Sequence, residues 1–445
     1  MAKGRPGLAR DSIGVFATQV LVMLIGIGTS VLTARTLGAQ GRGLFNLLIL
    51  LPTTLSNFVK LGVPQGNVYF IRKRGASASA VASNSLWLAL GLGMLCIAVA
   101  WEARAWLLAN IMKSDAPPAT LPMVLVLLPF VLIQVNLQAV LTAQQRFREY
   151  NLQNLIPVLV GAAGLVVVLA WTQDRPLEVK LVSVVLTQSL IQIGTTVWLM
   201  MRVHRTAPLG LTWDWKLARE TLRFGRKSYV QTLASTMHFR IDQFMIAYLL
   251  GPTEVGIYAV AVNLTNLLLR ISDATGTVLY PHLAGAGERE AHAATSRTCR
   301  QTLFATGAAA LGYVLFGPLA IRLYGPQFAG SVRPMLLMLP GIVMIALYLI
   351  LTRNFTSRNR QMVNIVAAVA ALAINVGANW VLIPRFGIAG AAVSTSISYS
   401  AAALILLFVF VRESGRSVVE TVFVGPDEVG RMVRNAVNAM RPAAN

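Results

Sequence analysis

Long apolar segments alternate with short polar and basic segments along the whole chain. Each apolar segment approaches the ~20 residues that an α-helix needs to cross the hydrocarbon core of a bilayer. The pattern therefore predicts an all-α polytopic membrane protein, with helix boundaries good to a few residues. The predicted transmembrane helices are 12–34, 44–69, 80–101, 121–144, 152–171, 179–201, 228–250, 255–281, 299–321, 335–354, 362–383 and 389–411.

Composition supports this fold class and excludes several functions. Of the 445 residues, 56% are hydrophobic and only 12% are charged, about half the charged fraction of an ordinary soluble domain. The net charge of +21 is spread in short clusters between apolar segments, without the continuous basic face that nucleic-acid binding requires. The two cysteines, Cys96 and Cys299, predict neither a disulfide framework nor a metal site, and we expect no cofactor.

Lysine and arginine residues concentrate in alternate connections between the predicted spans. With the N-terminus in the cytoplasm, the basic connections 72–74, 146–148, 202–227 and 289–300 all lie on the cytoplasmic side. Because basic residues favour cytoplasmic loops, both termini are predicted to be cytoplasmic.

The most basic connection divides the chain into two halves of six helices each. Its sequence WDWKLARETLRFG mixes tryptophan and leucine with basic residues, as an in-plane helix at the membrane surface does, although a solvated linker fits almost as well. The tail sequence PDEVGRMVRNAVNAM predicts a short amphipathic helix. The predicted domains are an N-terminal lobe (1–201), a cytoplasmic linker (202–227), a C-terminal lobe (228–411) and a cytoplasmic tail (412–445).

The two halves contain a repeated sequence. ARTLGAQGRGLFN (34–46) and AYLLGPTEVGIYA (247–259) share Ala, Leu and two Gly residues in register, at an offset of 213 residues. Six predicted helices separate the copies, so both copies have the same orientation in the membrane. This predicts a parallel repeat about an axis along the membrane normal. Gly38 and Gly251 are predicted to lie in tight outer turns, because glycine tolerates backbone angles that other residues resist.

Three segments resemble a known family. RIDQFMIAYLLGPTEVGIYAVAVNL (240–264) resembles the segment of polysaccharide transporters, including Wzx-type O-antigen flippases, in which an Asp precedes an LG…vGxY run. LRFGRKSYVQTLAS (222–235) is similar to the family's entry into its second half, and RFGIAGAAVSTSISY (385–399) is similar to the start of its twelfth helix. The chain thus resembles the polysaccharide transporters of the multidrug/oligosaccharidyl-lipid/polysaccharide flippase superfamily.

The resemblance implies two six-helix lobes around a central cavity that opens alternately to each side of a bacterial inner membrane. It implies a flippase, not an enzyme, whose partners are membrane lipids and an oligosaccharide linked through a diphosphate to a polyprenol. A polysaccharide polymerase and chain-length machinery are further candidate partners. Two alternatives stay open: an ion-coupled exporter of drugs or other small molecules on the same fold, and a membrane-embedded polysaccharide polymerase or ligase.

Five charged residues fall within the predicted spans. Each costs ~2.5–3.5 kcal/mol at the bilayer centre on insertion scales, so such charges usually serve a function or pair with one another. Arg270 and Asp273 lie three residues apart on one helical face. The repeat aligns them with Asn57 and Lys60, which have the same spacing. The intramembrane charges are Lys60, Arg240, Asp242, Arg270 and Asp273.

The cations suit a diphosphate, because guanidinium groups bind phosphate oxygens through paired donors. The predicted substrate-binding residues are Arg270, Lys60, Arg240 and Asn57, and the predicted ion-coupling or charge-pairing residues are Asp273 and Asp242. Structural alternatives remain for each group: an ion pair between Arg270 and Asp273, a Lys60 side chain that extends toward the headgroups, and interhelical hydrogen bonding by Asp242.

The charge pattern makes a testable prediction about topology. Reporter fusions at Arg74, Arg148 and Lys216 should report a cytoplasmic location, whereas fusions at Gln40, Lys113 and Asp174 should report an external one, because basic loops are retained in the cytoplasm. An external reporter at Lys216 would overturn both the orientation and the division into two lobes.

Overall fold

The protein folds into helices joined by short turns. The computed structural model describes residues 6–210, 212–285 and 287–425, together with residues 428 and 430, and within these residues it contains no strand. Two single turns, a π-helical turn at Leu107–Ile111 and a 3₁₀ turn at Pro326–Ser331, accompany the α-helices. The α-helices are α1 (Pro6–Val59), α2 (Val63–Lys73), α3 (Ala78–Glu102), α4 (Arg104–Trp106), α5 (Thr120–Leu125), α6 (Leu127–Ala143), α7 (Phe147–Trp171), α8 (Leu177–His204), α9 (Trp215–His238), α10 (Ile241–Leu249), α11 (Pro252–Asn266), α12 (Leu269–Gly285), α13 (Glu288–Arg322), α14 (Val332–Ser357), α15 (Gln361–Phe386), α16 (Ile388–Ser414) and α17 (Val418–Val422).

The predicted fold class is confirmed. Among the described residues, 10 helical segments are long and apolar enough to cross a membrane. The first of them, Thr18–Val59, is 42 residues long and holds most of the first and second predicted spans. The seventh predicted span contains the end of α9, a two-residue turn and the whole of α10. The long first segment counts as two transmembrane helices, and α9 together with α10 counts as one more. The protein therefore has about twelve transmembrane helices in two six-helix lobes.

Glycine marks the same position in both copies of the repeat. Gly38 interrupts the helical backbone of α1 with φ 68° and ψ −175°. Its counterpart Gly251, which separates α10 from α11, has φ 107°. Side chains with a Cβ atom are strained at such positive φ values, whereas glycine adopts them without steric cost. The equivalent glycines therefore bend the chain at the two places where the sequence predicted tight turns.

The helices pack into two compact units. The first contains Met1–Ala261, Leu319–Val332 and Asn379–Ala391, and the second contains Val262–Pro318, Arg333–Ala378 and Ala392–Asn445. These units do not follow the predicted lobes, because the first unit includes segments from both halves of the sequence. The lobe boundaries around 202–227 therefore stay a prediction.

Within the first unit, the two copies of the repeat pack directly on each other. A Cβ atom added to Gly43 would lie 1.7 Å from the Pro252 carbonyl oxygen, and one added to Gly256 would lie 2.1 Å from the Ala39 carbonyl oxygen. Gly43 is equivalent to Gly256 in the repeat, and Ala39 is equivalent to Pro252. Such a reciprocal contact is what a two-fold relation between the copies produces, and small residues allow the backbones to approach this closely.

The basic linker continues into a long helix. Asp214 caps α9 by accepting a hydrogen bond from the Leu217 backbone N–H at 3.0 Å, and α9 then runs without interruption to His238. The in-plane helix expected over WDWKLARETLRFG is therefore not a separate element, because its residues form the beginning of α9. This helix approaches α2 so closely that a Cβ atom on Gly62 would lie 2.3 Å from the Gly225 carbonyl oxygen.

In the second unit, the start of the C-terminal tail is docked on α13. Glu428 accepts hydrogen bonds from Arg300 at 2.5 Å and from Gln301 at 2.8 Å, and the hydroxyl groups of Ser296 and Thr421 lie 3.2 Å apart. These polar contacts attach residues beyond the last predicted span to the N-terminal half of α13. The amphipathic helix predicted for the tail lies outside the described residues, apart from residues 428 and 430.

The reciprocal glycine contact can be tested by adding a single methyl group to either glycine. Gly43→Ala or Gly256→Ala should force the helices apart and cost roughly 1–3 kcal/mol through overpacking. The nearby amide groups of Asn46 and Gln243 lie 2.7 Å apart, so crosslinking between cysteines introduced at these two positions should fall sharply. Gly26→Ala is the matched control, because a Cβ atom at Gly26 meets nothing within 4 Å. Unchanged crosslinking in both glycine variants would contradict the close approach.

Candidate functional site

Three transmembrane helices are interrupted, and a predicted cation lies at each interruption. The sequence predicted continuous helices at these places, so the interruptions are a correction to that prediction. In a bilayer, non-helical backbone occurs only where it is buried in protein or lines a water-filled space, and in transporters such breaks often mark binding sites. The interruptions separate α1 from α2 at residues 60–62, α9 from α10 at 239–240 and α11 from α12 at 267–268, next to Lys60, Arg240 and Arg270 respectively.

The first interruption holds the Lys60–Asn57 pair. Leu61 and Gly62 both adopt positive φ, 47° and 75°, which ends α1 and starts α2 in a new direction. The Lys60 ammonium group donates a hydrogen bond to the Asn57 side-chain carbonyl, and both residues are half-buried. These two side chains, which the repeat aligns with Asp273 and Arg270, therefore contact each other. The amide carbonyl neutralises none of the charge, so the lysine remains a cation available to an anionic ligand.

The second interruption places a buried carboxylate beside Arg240. Asp242 is only 4% exposed. One of its oxygens accepts a hydrogen bond from the Tyr258 hydroxyl at 2.6 Å and the other from the Gln243 backbone N–H at 2.8 Å. The Gln243 side chain in turn accepts a hydrogen bond from Asn46. Asp242 thus belongs to a hydrogen-bond network that joins α10 to α11 and to the second arm of α1.

Polar residues recur at spacings of three or four in the seventh predicted span, at Gln231, Ser235, His238 and Asp242. The first three lie on α9, which ends at His238, whereas Asp242 lies on α10, which begins at Ile241.

The third interruption precedes the Arg270–Asp273 pair. A guanidinium nitrogen of Arg270 lies 3.6 Å from a carboxylate oxygen of Asp273, and their side chains are 60% and 43% exposed. An ion pair this exposed adds little stability, and charges far from both ends of a span are not expected to face hydrocarbon. The pair is consequently suited to a water-filled space where a ligand can reach it.

Several residues of these sites were not predicted. Tyr258 aligns with Phe45 in the repeat, and its hydroxyl group is the one feature that Phe45 lacks. Asn46 and Gln243 carried no signal beyond being polar within apolar segments. Among the described residues, no group of three or more His, Cys, Asp or Glu side chains is placed to hold a metal ion.

Solved structures identify the class of protein. The fold matches the lipid II flippase MurJ in an inward closed conformation with a TM-score of 0.73 and 12% identity, covering 97% of this chain and 94% of that one. It also matches a multidrug resistance MATE transporter in an inward-facing conformation with a TM-score of 0.64 and 15% identity, covering 88% and 94%. The protein therefore has the fold of the multidrug/oligosaccharidyl-lipid/polysaccharide transporter superfamily.

The sequence also assigns the family. The family of polysaccharide biosynthesis proteins matches residues 8–287, more than half of the chain, so the protein belongs to that family and the predicted resemblance is confirmed. A probable low-salt glycan biosynthesis flippase of Haloferax volcanii is 21% identical over 192 residues. That match covers 42% of this chain and 41% of the archaeal protein, less than half the length of either.

The hydrogen bond between Tyr258 and the buried Asp242 carboxylate can be tested for its contribution to stability. Tyr258→Phe removes a hydrogen bond to a buried charge and should lower the free energy of unfolding by roughly 1–3 kcal/mol, measured as thermal stability in detergent. The control is Tyr150→Phe, which removes the hydroxyl group of a half-buried tyrosine and should change the thermal stability little. If Tyr258→Phe is no less stable than the control, the hydroxyl–carboxylate contact contributes nothing to the fold.

Proposed function

We propose that the protein is a flippase for a polyprenyl-diphosphate-linked oligosaccharide, acting in a bacterial inner membrane during surface polysaccharide export. The observation that supports this function best is the placement of Lys60, Arg240 and Arg270 at helix interruptions of a protein from a polysaccharide biosynthesis family. A passenger with two phosphate groups requires cations at membrane depth, and interrupted helices give such cations access to water.

The proposed mechanism is alternating access between two lobes. The diphosphate is bound by Arg270, through paired guanidinium donors, together with Lys60 as a point charge. Arg240 and Asn57 contribute further donors. The sugar crosses through water while the polyprenyl chain stays in the bilayer, so no bond in the substrate is made or broken.

The acids have a different role in this proposal. Asp273 lies beside Arg270 and neutralises it when no substrate is bound, which lowers the cost of an unpaired charge. A diphosphate competes with Asp273 for the same guanidinium group. Asp242, whose oxygens are already hydrogen-bonded, serves as a fixed charge near Arg240 or as a site for a coupling ion. After release, the lipid-linked sugar is available to a polymerase and its chain-length machinery.

An exporter of drugs or small molecules is the second candidate, because the MATE transporter shares the fold. Cations outnumber acids among the five intramembrane charges, which favours an anionic passenger over the cationic or neutral one expected with an acidic site. A membrane-embedded polymerase or ligase has no comparable support, since the solved structures that match are transporters.

Export measurements on charge variants test the proposal. In cells that make the cognate lipid-linked sugar, Arg270→Ala should reduce export at least tenfold at normal protein levels, because one lost charge-assisted hydrogen bond is worth roughly 1.5–3 kcal/mol. Arg270→Lys should retain part of the activity, since it keeps the charge but loses the paired donors. Lys60→Ala should be partly impaired, and the double alanine variant should be inactive.

The matched control is Arg148→Ala, which removes an exposed arginine from a connection between spans and should leave export unchanged. Normal export by the double variant of Arg270 and Lys60 would show that these charges are structural. A drug-resistance phenotype that depends on Arg270, without any effect on glycan export, would instead favour the exporter.

A further inference from the structure

A second cluster of cations lies apart from the helix interruptions. Arg35 on α1 and Arg322 at the end of α13 line a cavity of about 410 Å³ within the first unit. Both positions fall on the side of the membrane predicted to be external. The other lining residues are Ala34, Tyr324, Gly325, Pro326, Gln327 and Phe328. The lining includes no carboxylate.

A backbone carbonyl holds the Arg35 side chain in place without neutralising its charge. The Arg35 Nε donates a hydrogen bond to the Leu323 carbonyl oxygen at 2.7 Å, which fixes the guanidinium group and leaves its two terminal nitrogens for other acceptors. Neither Arg35 nor Arg322 forms an ion pair with a carboxylate of the described residues. Both residues are exposed, so an anion in the cavity can reach both guanidinium groups and accept hydrogen bonds from their paired donors.

A third arginine is hydrogen-bonded to a residue next to the cavity lining. Arg42 is 7% exposed and donates hydrogen bonds to the hydroxyl groups of Thr33 and Ser30, while its Nε has no hydrogen-bond partner. Thr33 directly precedes Ala34, which lines the cavity. A buried cation solvated only by hydroxyl groups is costly, so a nearby anion would also stabilise Arg42.

The surroundings indicate that the anion belongs to a lipid. Arg322 is the last residue of a spanning helix, where headgroups and water meet. On the same segment, Leu319 and Leu323 are 59% and 56% exposed, which is the arrangement expected of a surface covered by lipid chains. A ligand with a phosphate group and an apolar chain would place its phosphate in the cavity and its chain against the exposed leucines.

We propose that this cavity, defined by Arg35 and Arg322, binds the phosphate of a lipid headgroup in the outer leaflet. The headgroup belongs to an anionic phospholipid or to a polyprenyl diphosphate, since both present the same chemistry to two guanidinium groups. The inference does not rest on the proposed flippase activity, because a lipid site of this kind fits any transporter with this cavity.

Lipid binding to the purified full-length protein tests the proposal. Native mass spectrometry would measure binding of phosphatidylglycerol, of a polyprenyl diphosphate and of diacylglycerol, which lacks phosphate. The wild-type protein should bind at least one phosphate-bearing lipid about tenfold more tightly than diacylglycerol. Arg35→Ala with Arg322→Ala should remove that preference, and the corresponding pair of lysine substitutions should retain part of it.

Arg104→Ala with Arg175→Ala is the matched control, because both arginines are exposed and lie in connections predicted to be external. This variant should bind lipid as the wild-type protein does. A preference for both phosphate lipids identifies a general lipid-phosphate site, and a preference for the diphosphate alone identifies a site for the transported lipid. Equal binding of phosphate lipids by the wild-type protein and the correctly folded alanine variant would overturn the proposal, as would equal binding of diacylglycerol by the wild-type protein.

Discussion

The structure depends on one constraint, the need to satisfy every backbone N–H and C=O group in a solvent that offers no hydrogen bonds. Helices meet this constraint within a single segment, which explains why the apolar segments of this chain form helices and why the described residues contain no strand. The same constraint applies at each interruption of a helix, where backbone groups need other partners. At residues 60–62, 239–240 and 267–268 the chain leaves the regular helix, and several backbone N–H groups there bond to the carbonyl oxygen three residues earlier.

The interruptions place charge where a transporter can use it. Lys60 and Arg240 lie within two of them and Arg270 follows the third. The chemical settings differ, because Lys60 is paired with an amide, Arg270 with an exposed carboxylate, and Arg240 is adjacent to a carboxylate that is fully hydrogen-bonded.

Close backbone contact complements the charges. Gly43 and Gly256 let two equivalent segments touch through main-chain atoms, so a cavity cannot form at that point unless the contact separates. The polar groups beside it, Asn46, Gln243 and Asp242, add directional hydrogen bonds to a contact otherwise made by dispersion forces. Membrane helices lack a hydrophobic driving force between them, so packing and hydrogen bonds of this kind determine which faces associate.

The sequence by itself determined the fold class, the approximate spans, the internal repeat and the family, because hydrophobic length, charge asymmetry and local motifs are properties of consecutive residues. It also predicted that Arg270 and Asp273 share one helical face and that Asn57 and Lys60 have the same spacing, since residues three apart are neighbours on a helix. Only the tertiary structure decided where helices break, that Tyr258 donates to Asp242, and that Arg35 and Arg322 share a cavity. The hydrogen bond and the cavity join residues that are distant in the sequence, and the helix breaks depend on single backbone angles. A periodic pattern of hydrophobic residues predicts neither kind of feature.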